Sequence, residues 1–165
     1  MNDRASLPDF ELPATGKQRF QLSAFKGQPF VLYFYPRDNT PGCTDEGVQF
    51  RNLHPEFIKA RISVFGVSRD SVASHESFRK KMGFPFELLS DDEERACAIF
   101  GVMKMKNMYG RQVRGVERST FVIDREGRIA REWRGVKVPG HAQEVLDFVR
   151  SAASNLPSHH PYAPH

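Results

Sequence analysis

Two short apolar runs separated by a single helical span constrain this chain more than any other feature. Phe30-Val31-Leu32-Tyr33-Phe34-Tyr35 is almost unbroken by polar residues, as a strand covered on both faces requires. Ile62-Ser63-Val64-Phe65-Gly66-Val67-Ser68 is a second such run. Between them Phe50, Leu53 and Phe57 recur at i, i+3 and i+7, the period of an amphipathic helix. Two buried strands joined by a helix form a βαβ crossover, which demands parallel pairing. Pro41-Gly42 supplies the turn before the helix, Asp45 and Glu46 suit its first turn, and Cys43 falls at its start. Free backbone N–H groups at a helix start favour negative charge, and the thiolate is the reactive form of cysteine. Cys43 is therefore a candidate nucleophile.

The remaining elements follow from period and punctuation. Phe10 and Leu12, then Phe20 and Leu22, alternate with polar residues around Thr15-Gly16-Lys17, predicting an N-terminal hairpin that flanks the main sheet. The helix after Cys43 runs toward Ala60, and Pro55 predicts a kink or a split near His54. A helix is expected from Ser71 to Met82 with Gly83 as its stop, then an extended piece from Phe84 to Leu89 and a short helix from Asp92 to Phe100 closed by Gly101. Met103 to Arg114 shows no clear period and reads as a loop. Ser119–Ile123 and Ile129–Arg134 flank Arg125-Glu126-Gly127-Arg128 as an antiparallel hairpin. Ala142, Val145, Leu146, Val149, Ala152 and Ala153 share one face of a last helix. The expected organisation is one domain over residues 1–154 and a flexible, proline-rich tail over 155–165. The tail's His159 and His160 lack further ligands, and no metal site is expected there.

Composition excludes several classes. A chain of 165 residues supports one good core. Met1 to Ser6 carries no apolar leader and no stretch is long and apolar enough to span a bilayer, so a soluble cytoplasmic protein is expected. Residues 104–137 hold ten Lys or Arg against four acids, yet without a nucleic-acid motif they read as a solvated face. Two cysteines, Cys43 and Cys97, are too few for a disulfide scaffold.

The spacing Pro36-x-x-x-Thr40-x-x-Cys43 resembles the peroxiredoxin active-site signature. The longer run Phe34 to Thr44, the Met108-Tyr109-Gly110 segment and Glu117 to Asp124 resemble the bacterioferritin-comigratory, or Q-type, branch of that family. From about Leu7 to Arg150 the order of elements is similar too. The resemblance implies an α/β, thioredoxin-like fold with a central mixed sheet flanked by helices and an N-terminal hairpin extension. It implies a thiol-dependent peroxidase of hydrogen peroxide and organic hydroperoxides, with a role in antioxidant defence and cell redox homeostasis. No cofactor is implied.

Within that resemblance Cys43 is the nucleophile and Arg118 the active-site arginine, a permanent planar cation able to hold the thiolate and bind peroxide oxygens. Thr40 offers a hydroxyl to sulfur and peroxide, while Pro36 and Pro41 shield the turn. Many members of the branch carry a resolving cysteine five residues after the nucleophile, where this chain has Val48; others carry it near the place of Phe78 and Arg79, which has none. Only Cys97 remains, read mainly as a buried structural thiol and secondarily as a resolving one. A one-cysteine mechanism is expected, with thioredoxin, glutaredoxin or glutathione as reductant and the protein a monomer.

Rival readings are narrower. A dithiol oxidoreductase needs Cys-x-x-Cys, where Glu46 stands, and a copper-delivery module needs Cys-x-x-x-Cys, where Gly47 stands. A redox sensor using sulfenylation of Cys43 stays open. His54, His75 and His141 read as surface or capping residues. Met103, Met105, Met108 and Tyr109 read as a loop packed on the core, with an apolar entrance for alkyl hydroperoxides as the alternative.

Overall fold

The computed structural model describes residues 6–152, so Ala153 and the tail, with His159 and His160, lie outside the described residues. Strands β1 (Glu11–Ala14) and β2 (Gln18–Gln21) form the expected hairpin, followed by a short 3-10 turn at Leu22–Phe25. Then come β3 (Phe30–Phe34), α1 (Pro41–Lys59), β4 (Ser63–Ser68), α2 (Val72–Met82), β5 (Leu88–Ser90) and α3 (Arg95–Phe100). The chain continues through β6 (Met103–Met108), β7 (Arg111–Val116), β8 (Ser119–Ile123), β9 (Ile129–Arg134) and α4 (His141–Ser151). Seven strands form one mixed sheet in the order β2-β1-β5-β4-β3-β8-β9. The pairs β3/β4 and β4/β5 are parallel, as the crossover argument requires, and β8 joins β3 antiparallel. This is the expected α/β fold with a central mixed sheet between helices.

Strand alternation divides the interior into two layers. Phe30, Leu32, Phe34, Val67, Phe121 and Ile123 face the layer that holds Cys97 and Phe100 of α3. Val31, Tyr33, Val64 and Val122 face the other, which holds Cys43, Phe50 and Phe57 of α1 and Val145 and Val149 of α4. Both faces of β3 are thus covered, which is why its sequence shows no alternation. Gly47 lets α1 approach this closely, since a Cβ there would penetrate the Phe84 ring.

Of the two alternatives at Pro55, the split does not occur: helix α1 runs as one element through it, with buried Phe50 and Phe57 anchoring it on both sides of the proline. The segment from Met103 to Arg114 is not a loop but most of a two-stranded arm, β6 paired antiparallel with β7 outside the main sheet. Its tip, Tyr109-Gly110, has φ of +53° and +77°, the conformation a two-residue hairpin turn needs. The period is weak because most side chains of the arm face solvent: Met105, Met108 and Tyr109 are exposed, Tyr109 almost fully at 98%. The methionine loop packed on the core is therefore also corrected, with Met103 alone of the four resting against the core.

Candidate active site

Thr40 is the N-cap of α1, Pro41 and Gly42 fill its first two positions, and Cys43 is the third. Pro41 has no N–H, and the intrahelical ladder begins with Thr44 N–H donating to Thr40 O at 2.8 Å. The Gly42 and Cys43 N–H groups are therefore left pointing out of the helix end. Cys43 itself is 2% exposed.

Arg118 arrives from 75 residues away because of sheet register. Antiparallel pairing sets Phe34 opposite Ser119, so the residue before β8 lies level with the turn after β3. There the Arg118 Nη1 donates to Cys43 Sγ at 3.5 Å and to Glu46 Oε1 at 2.7 Å. Its other nitrogen lies over the start of α1, where a Cβ on Gly42 would sit 3.1 Å from Nη2. A cation beside sulfur at a helix start is placed to balance negative charge and has further N–H groups to offer an incoming oxygen.

In the sequence Glu46 reads only as an acid suited to the first helical turn. One turn after Cys43 it turns inward, is 1% exposed, and its Oε2 has no hydrogen-bond partner. Burial pushes its carboxyl up to about 7, against the opposing pull of Arg118. The i, i+3 spacing from Cys43 was the available signal, because it puts both side chains on one face of α1.

Thr40 and Pro36 flank the turn, both partly buried. The Thr40 hydroxyl makes no capping bond; it donates to Arg37 O at 3.0 Å, so the backbone fixes which way its oxygen points. Cys97 is remote from this group. It lies in the opposite core layer, is 0% exposed, and burial together with Asp91 pushes its thiol far above the ordinary value.

Two histidines depart from the surface or capping reading. His75 is fully buried, its Nδ1 2.8 Å from Asp38 Oδ2 and its Nε2 2.9 Å from Leu89 O. His141 is also buried, bonded to the Thr120 hydroxyl at 2.8 Å, and burial lowers it to about 4. His54 is partly buried on α1. Asp38, Asp70 and His75 bring ligand-type atoms within 4.8 Å of one another, an approach their hydrogen bonds account for.

A cysteine in the first turn of α1 facing an arginine just before β8, on a mixed sheet extended by an N-terminal hairpin, is an arrangement suited to thiol-peroxidase chemistry. The chain belongs to the AhpC/TSA family, whose model matches residues 4–132, and within it to the bacterioferritin-comigratory, or peroxiredoxin Q, branch. Peroxiredoxin Bcp of Xanthomonas campestris pv. campestris is 51% identical over 149 residues, covering 90% of this chain and 93% of that protein. Peroxiredoxin Bcp of Bacillus subtilis is 46% identical over 143 residues, covering 87% and 91%. The solved structure of Xanthomonas campestris peroxiredoxin Q superposes with a TM-score of 0.87 at 49% identity, covering 92% of this chain and 99% of that one. Such relatives mark the chain as a peroxidase. Among the described residues no helix is long and apolar enough to cross a membrane.

Proposed function

We propose that this protein reduces hydrogen peroxide and organic hydroperoxides by a one-cysteine mechanism in which Cys43 is the nucleophile. The Cys43 thiolate attacks one peroxide oxygen; an S–O bond forms, the O–O bond breaks, and its electron pair leaves with the other oxygen as hydroxide or alkoxide, which takes a proton from solvent. Arg118 holds the thiolate and stabilises the leaving oxygen, with the Gly42 and Cys43 N–H groups as further donors. Thr40 orients the peroxide, and Pro36 keeps water from the turn. The sulfenic acid on Cys43 is attacked by an external thiolate, which displaces hydroxide and forms a mixed disulfide. A second thiol then releases Cys43. Thioredoxin, glutaredoxin and glutathione are the reductant classes that fit, with the protein acting as a cytoplasmic monomer.

The observation that carries this reading is the 3.5 Å approach of Arg118 Nη1 to Cys43 Sγ at the start of α1. A related protein, the bacterioferritin comigratory protein of Xanthomonas campestris, is described as having alkyl peroxide reduction activity, which favours organic hydroperoxides here as well. Cys97 is the less suitable resolving thiol, because it lies across the sheet and its thiol resists ionisation. The test is to treat reduced protein with one equivalent of peroxide and map the product by intact mass and peptides. A Cys43 sulfenate, trapped by a carbon nucleophile, is expected; a stoichiometric Cys43–Cys97 disulfide would sink the one-cysteine mechanism. If protein with excess dithiol consumes no peroxide beyond one equivalent, it is a sensor and not an enzyme.

A further inference from the structure

We propose that the buried pair Asp38–His75 is a positioning device that holds the 36–40 loop in the geometry peroxide attack requires. The proposal rests on the peroxidase reading and deepens it. Asp38 is the middle residue of that loop, two positions from Pro36 and two from Thr40. It is held through both main chain and side chain. Its N–H donates to Asp70 Oδ2 at 2.8 Å, and Asp70 Oδ2 also accepts the Ser68 hydroxyl at 2.6 Å. Its Oδ1 accepts the Tyr35 hydroxyl at 2.7 Å, and its Oδ2 accepts the Ser74 hydroxyl at 2.7 Å beside His75 Nδ1 at 2.8 Å. The residue after β3 and the first turn of α2 thus converge on the Asp38 carboxyl, the Asp70 carboxyl beyond the end of β4 holds the Asp38 main chain, and His75 ties the group onward to β5 through Leu89 O.

The proton inventory shows why this pair tolerates burial. Leu89 O can only accept, so His75 Nε2 carries a hydrogen. Asp38 Oδ2 and His75 Nδ1 then share one further proton, and the pair is neutral overall whichever atom holds it. That is how a carboxyl and an imidazole whose side chains are 2% and 0% exposed can coexist without an uncompensated charge. Deleting either partner strands the other inside the protein. The loop then loses the fixed point between Pro36 and Thr40, while the Cys43–Arg118 contact, built from α1 and β8, keeps its own supports. The two parts of the site should therefore respond differently to one substitution.

The experiment measures two rates on the full-length protein: oxidation of Cys43 by hydrogen peroxide, and its alkylation by iodoacetamide, which needs the thiolate but not the loop. His75→Ala and Asp38→Ala are expected to slow peroxide oxidation about 10- to 100-fold, the cost of a misplaced reacting group, and to change alkylation less than about twofold. Asp38→Asn should recover most of the loss, because its amide can donate to Nδ1 of a neutral imidazole while its carbonyl still accepts from Tyr35. Unchanged peroxide rates, equal falls in both rates, or an Asp38→Asn variant as slow as Asp38→Ala would overturn the proposal. If the alanine variants do not fold, Tyr35→Phe and Ser74→Ala each delete one bond to Asp38 and carry the same test, with a selective fall in peroxide rate expected. Wild-type protein that consumes no peroxide defeats the functional reading itself; active wild type with indifferent variants defeats only this one.

Discussion

The two cysteines sit at equivalent places in their helices and have opposite surroundings. Cys43 is the third residue of α1 and Cys97 the third of α3, and both are buried. At Cys43 the charged group bonded to sulfur is the Arg118 cation, and the first-turn N–H groups remain free of intrahelical bonds. At Cys97 those groups are already taken: the Asp91 carboxylate accepts from Ala96 N at 3.0 Å and from Cys97 N at 2.7 Å. Burial first, then the bonded carboxylate, pushes the Cys97 thiol up. A helix start is common to both thiols; the sign of the charge bonded beside each is not.

The strongest break in this comparison is Cys43→Ser, expected to abolish peroxide turnover in a steady-state assay with excess dithiol, while Cys97→Ser leaves it within about twofold. A Cys97→Ser variant that loses turnover would mean the second thiol is chemically engaged. Next comes the cation. Arg118→Met should cost about 10²- to 10³-fold in the second-order rate with peroxide, the usual loss for one preorganised charge-stabilising donor. It should slow iodoacetamide alkylation at pH 7 as well, because the thiolate loses its counter-ion.

Glu46 supplies a thermodynamic prediction. Its folded carboxyl is raised from 4.5 to about 7, so between those values the native state holds more protons than the unfolded one. Stability contributed by this group is thus present below pH 4.5 and is lost as pH rises toward 7. The upper bound is about 3 to 4 kcal/mol for a shift of this size. His141 acts in the other direction: lowered from 6.5 to about 4, it costs stability as pH falls through that window. Calorimetric melting curves of wild type and Glu46→Gln from pH 4 to 8 separate the two. The wild-type-minus-variant difference should decline toward pH 7, and a flat difference would show that the Glu46 carboxyl titrates alike in the folded and unfolded states. The smallest effect is expected from Gly42→Ala, whose methyl would meet Arg118 Nη2 at 3.1 Å. Displacing the guanidinium by a few tenths of an ångström should lower the peroxide rate only roughly threefold, measurable by stopped flow.

How much of this was legible in the sequence varies with how local the cause is. The β3–turn–α1 junction could be read because its signals are contiguous: an apolar run, Pro41-Gly42, and an i, i+3, i+7 stripe. Arg118 was reached only through resemblance to a family motif, since nothing within its own segment marks it. The histidines misled because a single His carries no period. What satisfies the buried His75 is a carboxyl 37 residues away and a carbonyl on β5. The β6–β7 arm was missed because a hairpin standing off the main sheet has little core to imprint an apolar face on its residues. Gly110 at its tip was the available clue.

The sequence by itself determined a βαβ core, the placement of Cys43 at a helix start and the absence of a second cysteine at Val48. These depend on neighbours along the chain, where period and turn chemistry act directly. Only the tertiary structure decided which charge faces each thiol. That depends on strand register and on which core layer a helix covers. The β3–β8 pairing brings Arg118 to Cys43, while α3, on the other layer, places Asp91 beside Cys97. Electrostatic activation of a buried thiol acts over a few ångströms, and in this fold those ångströms are spanned by residues far apart in sequence.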